Sequence, residues 1–308
     1  MQRGKALFRL SFVPEWSAIA ALALIDAVWA AQIGLTFTTV ATDFLVPGLA
    51  LALMAGFRLF AFRRPSFTAE YFALSLAASI AVCALSYLCL ASSTALADGQ
   101  LAAMDRLLGF DWLAGYRFVQ AHPALFALLG LAYGSLVYQG LYLCLLLGLM
   151  DQKQRLREMF WLFLISGALA CAGTLCLPAL GPSKHFDIET TTGFVPVMQH
   201  LLSGQNMTFA LGEMTGVVSF PSFHTSMALA YAWAFRKCGA IGIGMAALNI
   251  IMLCAVPFFG GHYLVDMIAG AATMLLALAI VKMAPLAWRR ISGASASPES
   301  AEASAGAY

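Results

Sequence analysis

The sequence predicts an all-α membrane protein, a polytopic bundle of about eight transmembrane helices. Two observations support this prediction. Of the 308 residues, 61% are hydrophobic and only 10% are charged, and the mean hydropathy is +0.83. Soluble domains contain about 25% charged residues. The composition therefore excludes an ordinary soluble enzyme, and with a net charge of +2 we expect no nucleic-acid partner.

Each predicted span is a window of mainly apolar residues, because a helix needs about 20 of them to cross ~30 Å of hydrocarbon. The windows lie at 17–39, 43–61, 69–95, 123–150, 159–179, 222–236, 239–259 and 263–284. The sixth window is the shortest. We expect two additional N-terminal helices within residues 1–66 and a six-helix core over 67–286. Residues 287–308 are rich in Ser, Ala and Gly, which predicts a disordered cytoplasmic tail.

Basic residues set the expected orientation, because Lys and Arg accumulate in cytoplasmic loops. Of the 17 basic residues, all but Arg106, Arg117 and Lys184 flank the spans on one side. We therefore expect an integral protein of a bacterial inner membrane, with both termini in the cytoplasm. A cleaved signal peptide is the competing interpretation of the first span, because basic residues precede an apolar run that contains VWAAQ.

The outer segment 98–120 is amphipathic. Its apolar residues recur at helical spacing, which is typical of a helix that lies on the membrane surface. The alternative is that this segment covers a substrate site.

The stretch SFPSFHTS (219–226) is one of three polar stretches at the predicted outer ends of neighbouring spans. Pro221 and Ser222 suit the opening of a helix, and the free N–H groups of a first turn attract a phosphate-like anion. Ser222 and Thr225 would add hydroxyl donors to this anion-binding turn, and His224 lies beside it. The stretch therefore predicts an anion site with a proton-transfer group.

The stretch GGHYLVDMIAG (260–270) places His262 and Asp266 four positions apart, on one face of a helix that begins near Gly261. A carboxylate at this distance can fix the tautomer of the imidazole and leave its other nitrogen free to attack an electrophile. In LPALGPSKHF (177–186), Lys184 would supply positive charge to phosphoryl oxygens. Together the stretches predict phosphoryl transfer at a nucleophilic histidine.

The motifs GPSK (181–184), SFPSFH (219–224) and GGHYLVD (260–266) resemble, in this order, the three motifs of the type 2 phosphatidic acid phosphatase superfamily. The similarity covers roughly residues 69–284. It implies that His262 attacks phosphorus to give a phosphohistidine, that Asp266 orients it and that His224 protonates the leaving group. The resemblance also implies a set of phosphate-binding residues: Lys184, Ser222 and the backbone around Phe223, with His185 and Thr225 as further candidates.

The chain departs from the usual superfamily pattern at two positions and in its first motif. Val256 stands in place of an arginine, Phe223 in place of a glycine, and the first motif is only a fragment. The forms FPSxH and HYxxD are similar to the branch of inositol phosphorylceramide synthases and their bacterial relatives, which transfers a phospho-head-group to a lipid hydroxyl. The resemblance therefore implies a phospholipid or other lipid-linked phosphate as substrate, in the bilayer, and leaves hydrolysis and transfer both open.

No metal ion or cofactor is expected, because the mechanism requires none. The seven cysteines are scattered through the chain without CxxC spacing, which favours small core residues over a metal site or a disulfide framework. The sequence does not predict an oligomeric state.

A membrane transporter or channel is the alternative from a different functional class. A pathway would place ionisable residues along the depth of several helices. The predicted spans contain few, chiefly Asp26 and Glu70, so the sequence favours an enzyme. His122 and His200 are expected to be ordinary loop residues.

Overall fold

The computed structural model describes residues 10–188 and 194–291, with side chains to residue 284. Most of the tail that the sequence predicts to be disordered lies outside these residues. The described helices, numbered in chain order, are α1 Val13–Ile33, α2 Leu45–Leu59, α3 Arg63–Ala91, α4 Asp98–Leu107, α5 Trp112–Gln120, α6 Pro123–Leu149, α7 Lys153–Cys176, α8 Pro182–His185, α9 Phe194–Ser203, α10 Phe223–Phe235, α11 Gly239–Phe259 and α12 Leu264–Ile291. Two short strands are β1 Thr36–Thr38 and β2 Thr208–Ala210.

The all-α polytopic bundle is confirmed. Within the described residues, seven helices are long and apolar enough to cross a membrane: α1, α2 with the short 3₁₀ turn before it, α3, α6, α7, α11 and α12. The sequence windows differ from these helices by a few residues at their ends. The third window, for example, predicts a start at residue 69, whereas α3 begins at Arg63.

The sixth predicted span is the helix α10, whose 13 residues reach only about 20 Å at a rise of 1.5 Å per residue. Its end lies beside the start of α7, where the Arg155 guanidinium donates to the Ala234 carbonyl. Its first residue, Phe223, packs on Phe163 of α7 with ring centroids 5.4 Å apart. The helix therefore begins well below the end of α7 at Cys176.

The segment before α10 is irregular, and its backbone is bonded to neighbouring protein groups. The Thr174 hydroxyl donates to the Phe220 carbonyl at 3.2 Å, and the Ser222 N–H donates to the Asp266 carbonyl at 2.9 Å. Irregular backbone is tolerated inside a membrane where protein satisfies it. The N-terminus of α10 therefore lies in a recess of the bundle.

The N-terminal helices are tied to the rest of the chain at both ends. At one end the Glu70 carboxylate of α3 accepts the Ser11 and Phe12 N–H groups and pairs with Arg58 at 2.7 Å. At the other end β1 pairs in parallel with β2, so that Thr36 lies opposite Thr208. Glu70 is one of the ionisable residues in the predicted spans, and it makes a structural contact between α3 and the N-terminal segment.

The amphipathic segment 98–120 forms two helices, α4 and α5, separated at Gly109, whose φ is +73°. Leu101 and Ala102 of α4 are buried, whereas Met104 is exposed. The Ala97 N–H just before α4 donates to the Pro178 carbonyl at 2.7 Å. The start of α4 thus packs against the loop that follows α7.

Candidate functional site

His262 and Asp266 lie side by side between α11 and α12. Nδ1 of His262 is 3.4 Å from Oδ2 of Asp266, and the same oxygen accepts the Tyr263 N–H at 2.8 Å. Both side chains are buried. The helix α12 begins at Leu264, three residues later than the sequence predicts, so His262 is held by the preceding turn. With Nδ1 directed at the carboxylate, Nε2 is the nitrogen that can act as a nucleophile.

Burial sets the charge of the His262 ring. It lowers the pKa of His262 to about 4, against a smaller opposing effect from a hydrogen bond with the Ser219 backbone. A buried imidazole loses hydration in its charged form. The ring is therefore neutral at neutral pH, which is the form that attacks an electrophile.

The His224 ring faces His262 from the start of α10. The two ring centroids are 6.3 Å apart. Tyr133 of α6 stacks on His224 with a centroid distance of 4.6 Å and an interplanar angle of 16°. The stacking fixes the plane of the His224 ring beside His262.

The first turn of α10 has an N-cap and backbone N–H groups without intrahelical partners. Ser222 is its N-cap, and its hydroxyl oxygen accepts the Thr225 N–H at 3.3 Å and the Thr225 hydroxyl at 3.2 Å. The Thr225 hydroxyl hydrogen is thus directed at Ser222. The N–H groups of Phe223 and His224 precede the first intrahelical bonds and remain available to an anion. The Phe223 ring itself packs against Phe163, so this residue contributes its backbone.

The loop with Lys184 meets the loop with His262 through two glycines. Gly181 has a φ of +93°, and a Cβ there would collide with the Gly261 carbonyl. Any other residue would push the loops apart. Lys184 is three residues further on, in α8, where its side chain is 47% exposed and its ammonium lies 3.9 Å from Asp187. Its described ion pair is thus with Asp187, at the rim of the site.

The remaining histidines make local contacts. The His185 ring lies 6.4 Å from the Tyr263 ring, at the edge of the site. Nδ1 of His122 lies 2.7 Å from the Phe118 carbonyl, and Nε2 of His200 lies 3.0 Å from the Asn206 carbonyl. His122 and His200 are both exposed.

Asp98 of α4 joins the first and third motifs, a role that the sequence interpretation missed. Its carboxylate accepts the Leu180 N–H at 2.9 Å, the Gly181 N–H at 2.8 Å and the Tyr263 hydroxyl at 3.0 Å. These three donors come from both loops. Asp98 therefore fixes the position of one loop relative to the other.

Asp105, two turns further along α4, caps the helix that carries Asp266. Its two oxygens accept the Leu264 and Val265 N–H groups, each at 2.9 Å. Burial raises the pKa of Asp105, and these two hydrogen bonds lower it in part. A spacing of seven puts Asp98 and Asp105 on one helix face, which is a signal that the sequence contains. Tyr133 gives no such signal, because an aromatic residue within an apolar helix resembles a core residue.

Within the described residues, no group of three or more His, Cys, Asp or Glu side chains is arranged to hold a metal ion. The chemistry that the arrangement supports uses the imidazoles, the carboxylate of Asp266 and the N-terminus of α10. A neutral buried imidazole beside a carboxylate can attack, and a second imidazole 6.3 Å away can donate a proton.

Comparison with known proteins gives one match. The family profile described as the PAP2 superfamily matches residues 99–280, which is more than half of the 308 residues. No curated protein and no solved structure matches the chain. The matched range includes the loop of Lys184, the start of α10 with His224 and the pair of His262 and Asp266. The chain belongs to the PAP2 superfamily.

Proposed function

We propose that the protein is an integral-membrane phosphatase or phosphotransferase that cleaves a phosphate ester of a lipid through a phosphohistidine on His262. The facing imidazoles of His224 and His262, with centroids 6.3 Å apart, are the observation that carries the proposal. Members of the PAP2 superfamily are phosphatases or phosphotransferases. The mainly apolar bundle supports a substrate that is itself held in the bilayer.

In the first step, Nε2 of His262 forms a bond to phosphorus while the bond between phosphorus and the lipid oxygen breaks. The bound phosphate favours the protonated form of His224, because a nearby negative charge stabilises a charged imidazole. His224 then passes its proton to that oxygen, which leaves as a lipid alcohol. Asp266 accepts a hydrogen bond from Nδ1 of His262 and stabilises the positive charge that develops on this ring. His224 is left neutral.

In the second step, His224 takes a proton from the group that attacks the phosphohistidine. If that group is water, inorganic phosphate forms and His262 is restored. If it is a lipid hydroxyl, the phospho-group is transferred. We favour the branch of inositol phosphorylceramide synthases, because the forms FPSFH and HYLVD are those of that branch.

The phosphate in this proposal lies against the N–H groups of Phe223 and His224, with the Ser222 hydroxyl beside it. Lys184 turns from Asp187 toward the phosphoryl oxygens when the substrate binds, and its half-exposed side chain has the freedom to do so. A positive charge there offsets the charge of the equatorial oxygens. His185 lies at the rim and would contact the part of the substrate that projects outward.

We propose that this site faces the outside of a bacterial-type inner membrane and that both termini are cytoplasmic. The distribution of basic residues supports this orientation. Arg58, Lys153 and Arg236 stand at helix ends remote from His262, and cytoplasmic loops are rich in such residues.

The proposal is tested by incubating the purified protein with a panel of lipid phosphates and phospholipids, with and without lipid hydroxyl acceptors. Free phosphate and new lipid products are followed together, which separates hydrolysis from transfer. His262→Ala should lower turnover by at least about 10⁴-fold, because a nucleophile is lost. His200→Ala is the matched control, since His200 is exposed and bonded locally, and it should keep full activity. Undiminished turnover by His262→Ala would exclude the phosphohistidine.

A further inference from the structure

A basic pocket lies at the end of the bundle that is remote from the catalytic residues. Its volume is about 310 Å³, and it is bounded by the segment before α1, the connection from α2 to α3 and the first residue of α7. The helix α7 runs from Lys153 in this pocket to Cys176, a length of about 35 Å at 1.5 Å per residue. The loop after Cys176 carries Lys184, so the pocket is separate from the site of the proposed function.

The lining of this pocket is positively charged. Within the residues that the structure describes, three basic side chains and no acidic one line it: Arg58, Arg63 and Lys153. Arg58 is paired with the Glu70 carboxylate at 2.7 Å and donates to the Ser66 hydroxyl at 2.9 Å. Arg63 and Lys153 have no described carboxylate within ion-pair distance. The pocket therefore presents two positive charges that the described part of the chain does not neutralise.

The acids nearest to the pocket already have partners. Each is paired with a different arginine, Glu70 with Arg58, Glu15 with Arg157 and Asp151 with Arg64. The Glu70 carboxylate also accepts two backbone N–H groups and is fully buried. The sequence before Glu15 contains no acid. A mobile anion from outside the chain is therefore the partner that fits Arg63 and Lys153.

Two long helices begin at the pocket and add to its positive potential. They are α3, which starts at Arg63, and α7, which starts at Lys153. The N-terminus of a helix carries a partial positive charge. Both helix starts thus favour the same sign of ligand as the two side chains.

The rim of the pocket is aromatic and faces the surroundings of the bundle. Phe62 lines the pocket and is 56% exposed, and the neighbouring Phe60 is 73% exposed. Their ring centroids lie 6.4 Å apart. Both follow the end of the apolar span α2 at Leu59, where the headgroup and the acyl chains of a lipid are both within reach. A free inorganic anion would make no use of these rings, whereas a lipid would.

We infer that this pocket binds the phosphate of an anionic phospholipid from the leaflet opposite to the catalytic site. The phosphodiester lies between Arg63 of α3 and Lys153 of α7, and the acyl chains pass over the exposed rings of Phe60 and Phe62. Basic pockets between transmembrane helices suit the headgroups of anionic lipids. The bound lipid would join the connection between α2 and α3 to α7. This inference is independent of the proposed reaction.

Arg63→Gln and Arg64→Gln form a matched pair that tests this inference. The two arginines are adjacent and exposed, but Arg64 pairs with Asp151 and does not line the pocket. The full-length protein in neutral detergent micelles is titrated with dioleoyl phosphatidylglycerol, and bound lipid is counted by native mass spectrometry. Arg63→Gln should raise the Kd about fivefold, equivalent to the ~1 kcal/mol that one basic residue contributes at an anionic lipid surface. Arg64→Gln should leave the Kd essentially unchanged.

Two further titrations identify the ligand. Dioleoyl phosphatidylcholine has the same chains and no net charge, so it should bind more weakly and should not respond to Arg63→Gln. Inorganic phosphate in excess should not displace phosphatidylglycerol. If inorganic phosphate displaces it from the unsubstituted protein, the pocket binds a free anion and the lipid inference fails.

The remaining outcomes also decide the question. Equal losses in Arg63→Gln and Arg64→Gln would mean that the general charge of this face attracts the lipid, which overturns the pocket. Failure to bind phosphatidylglycerol, or equal binding of phosphatidylcholine, overturns it too. Lys153→Gln should weaken binding as Arg63→Gln does. The Lys153 ammonium lies 5.2 Å from the centre of the Phe12 ring, and if its loss prevents folding, the two arginine variants still decide. Lipid held at the catalytic site is common to all variants, so failure here leaves the proposed function intact.

Discussion

Asp98 offers a sharp test of how the site is held together, because a single carboxylate joins the two loops that carry Lys184 and His262. In Asp98→Asn, the amide oxygen can replace only one carboxylate oxygen. If it takes the place of Oδ1, it still accepts from Gly181 and Tyr263. The amide NH₂ then faces the Leu180 N–H, and that hydrogen bond is lost.

A hydrogen bond to a charged group contributes about 1.5–3 kcal/mol. Asp98 is only partly buried, so water compensates in part, and the free energy of unfolding should fall by about 1.5 kcal/mol. The activity should fall further, because the loops are no longer held in register. A misplacement of about 1 Å can cost 10²-fold, and we expect kcat/KM to decrease by about 10-fold to 100-fold. Thermal unfolding in detergent and phosphate release measure the two effects.

Asp111→Asn is the control, because Asp111 is an exposed N-cap with one hydrogen bond, to the Ala114 N–H at 2.9 Å. It should leave kcat/KM unchanged. Tyr263→Phe removes only the hydroxyl that contacts Asp98 and should give a smaller loss than Asp98→Asn. If Asp98→Asn unfolds more easily but turns over substrate at the original rate, Asp98 stabilises the fold without positioning the site.

The remaining predictions concern leaving-group chemistry, pH and topology. His224→Ala should slow cleavage of lipid alkoxides by about 10²–10⁴-fold and of an activated aryl phosphate far less; equal losses would mean that His224 only binds phosphate. Because burial lowers the pKa of His262 from 6.5 to about 4, kcat/KM should show no loss from protonation of this ring until the pH nears 4. In the unfolded chain His262 binds its proton below about pH 6.5, so the free energy of unfolding should decrease as the pH falls from 6.5 to 4. His262→Gln should remove that component, and an unaltered pH dependence of unfolding would contradict the assignment. In a chain without its native cysteines, Asp187→Cys should react with a membrane-impermeant thiol reagent from outside and Gln154→Cys should not; the reverse pattern would invert the proposed topology.

Hydropathy was sufficient to predict most of the bundle, because long apolar helices depend on composition over about 20 residues. It was insufficient for α10. The window 222–236 contains an apolar run at 227–235. Whether such a segment spans the membrane as a helix or starts inside the bundle depends on tertiary partners such as Thr174 and Asp266. For this reason no local sequence pattern predicts that the site lies in a recess of the bundle.

The contact between His262 and Asp266 could be predicted because the two residues are neighbours in sequence. His262 and Asp266 are four residues apart, and the fold brings them together even though α12 begins later than expected. The partners of α4 are different. Asp98 bonds to Leu180 across 82 residues, and Asp105 bonds to Val265 across 160. Such contacts depend on which helix end is placed beside which, and a single sequence does not specify that.

The parallel pairing of Thr36–Thr38 with Thr208–Ala210 makes the N-terminal helices inseparable from the segment between the first and second motifs. A chain shortened to begin after residue 66 would leave the N–H and C=O groups of β2 as a free edge. It would also uncover Val217 and Tyr87, which share an apolar cluster with Ala30 and Leu35. Such a truncated chain would keep His224, His262 and Asp266 and lose the packing that supports the segment with β2.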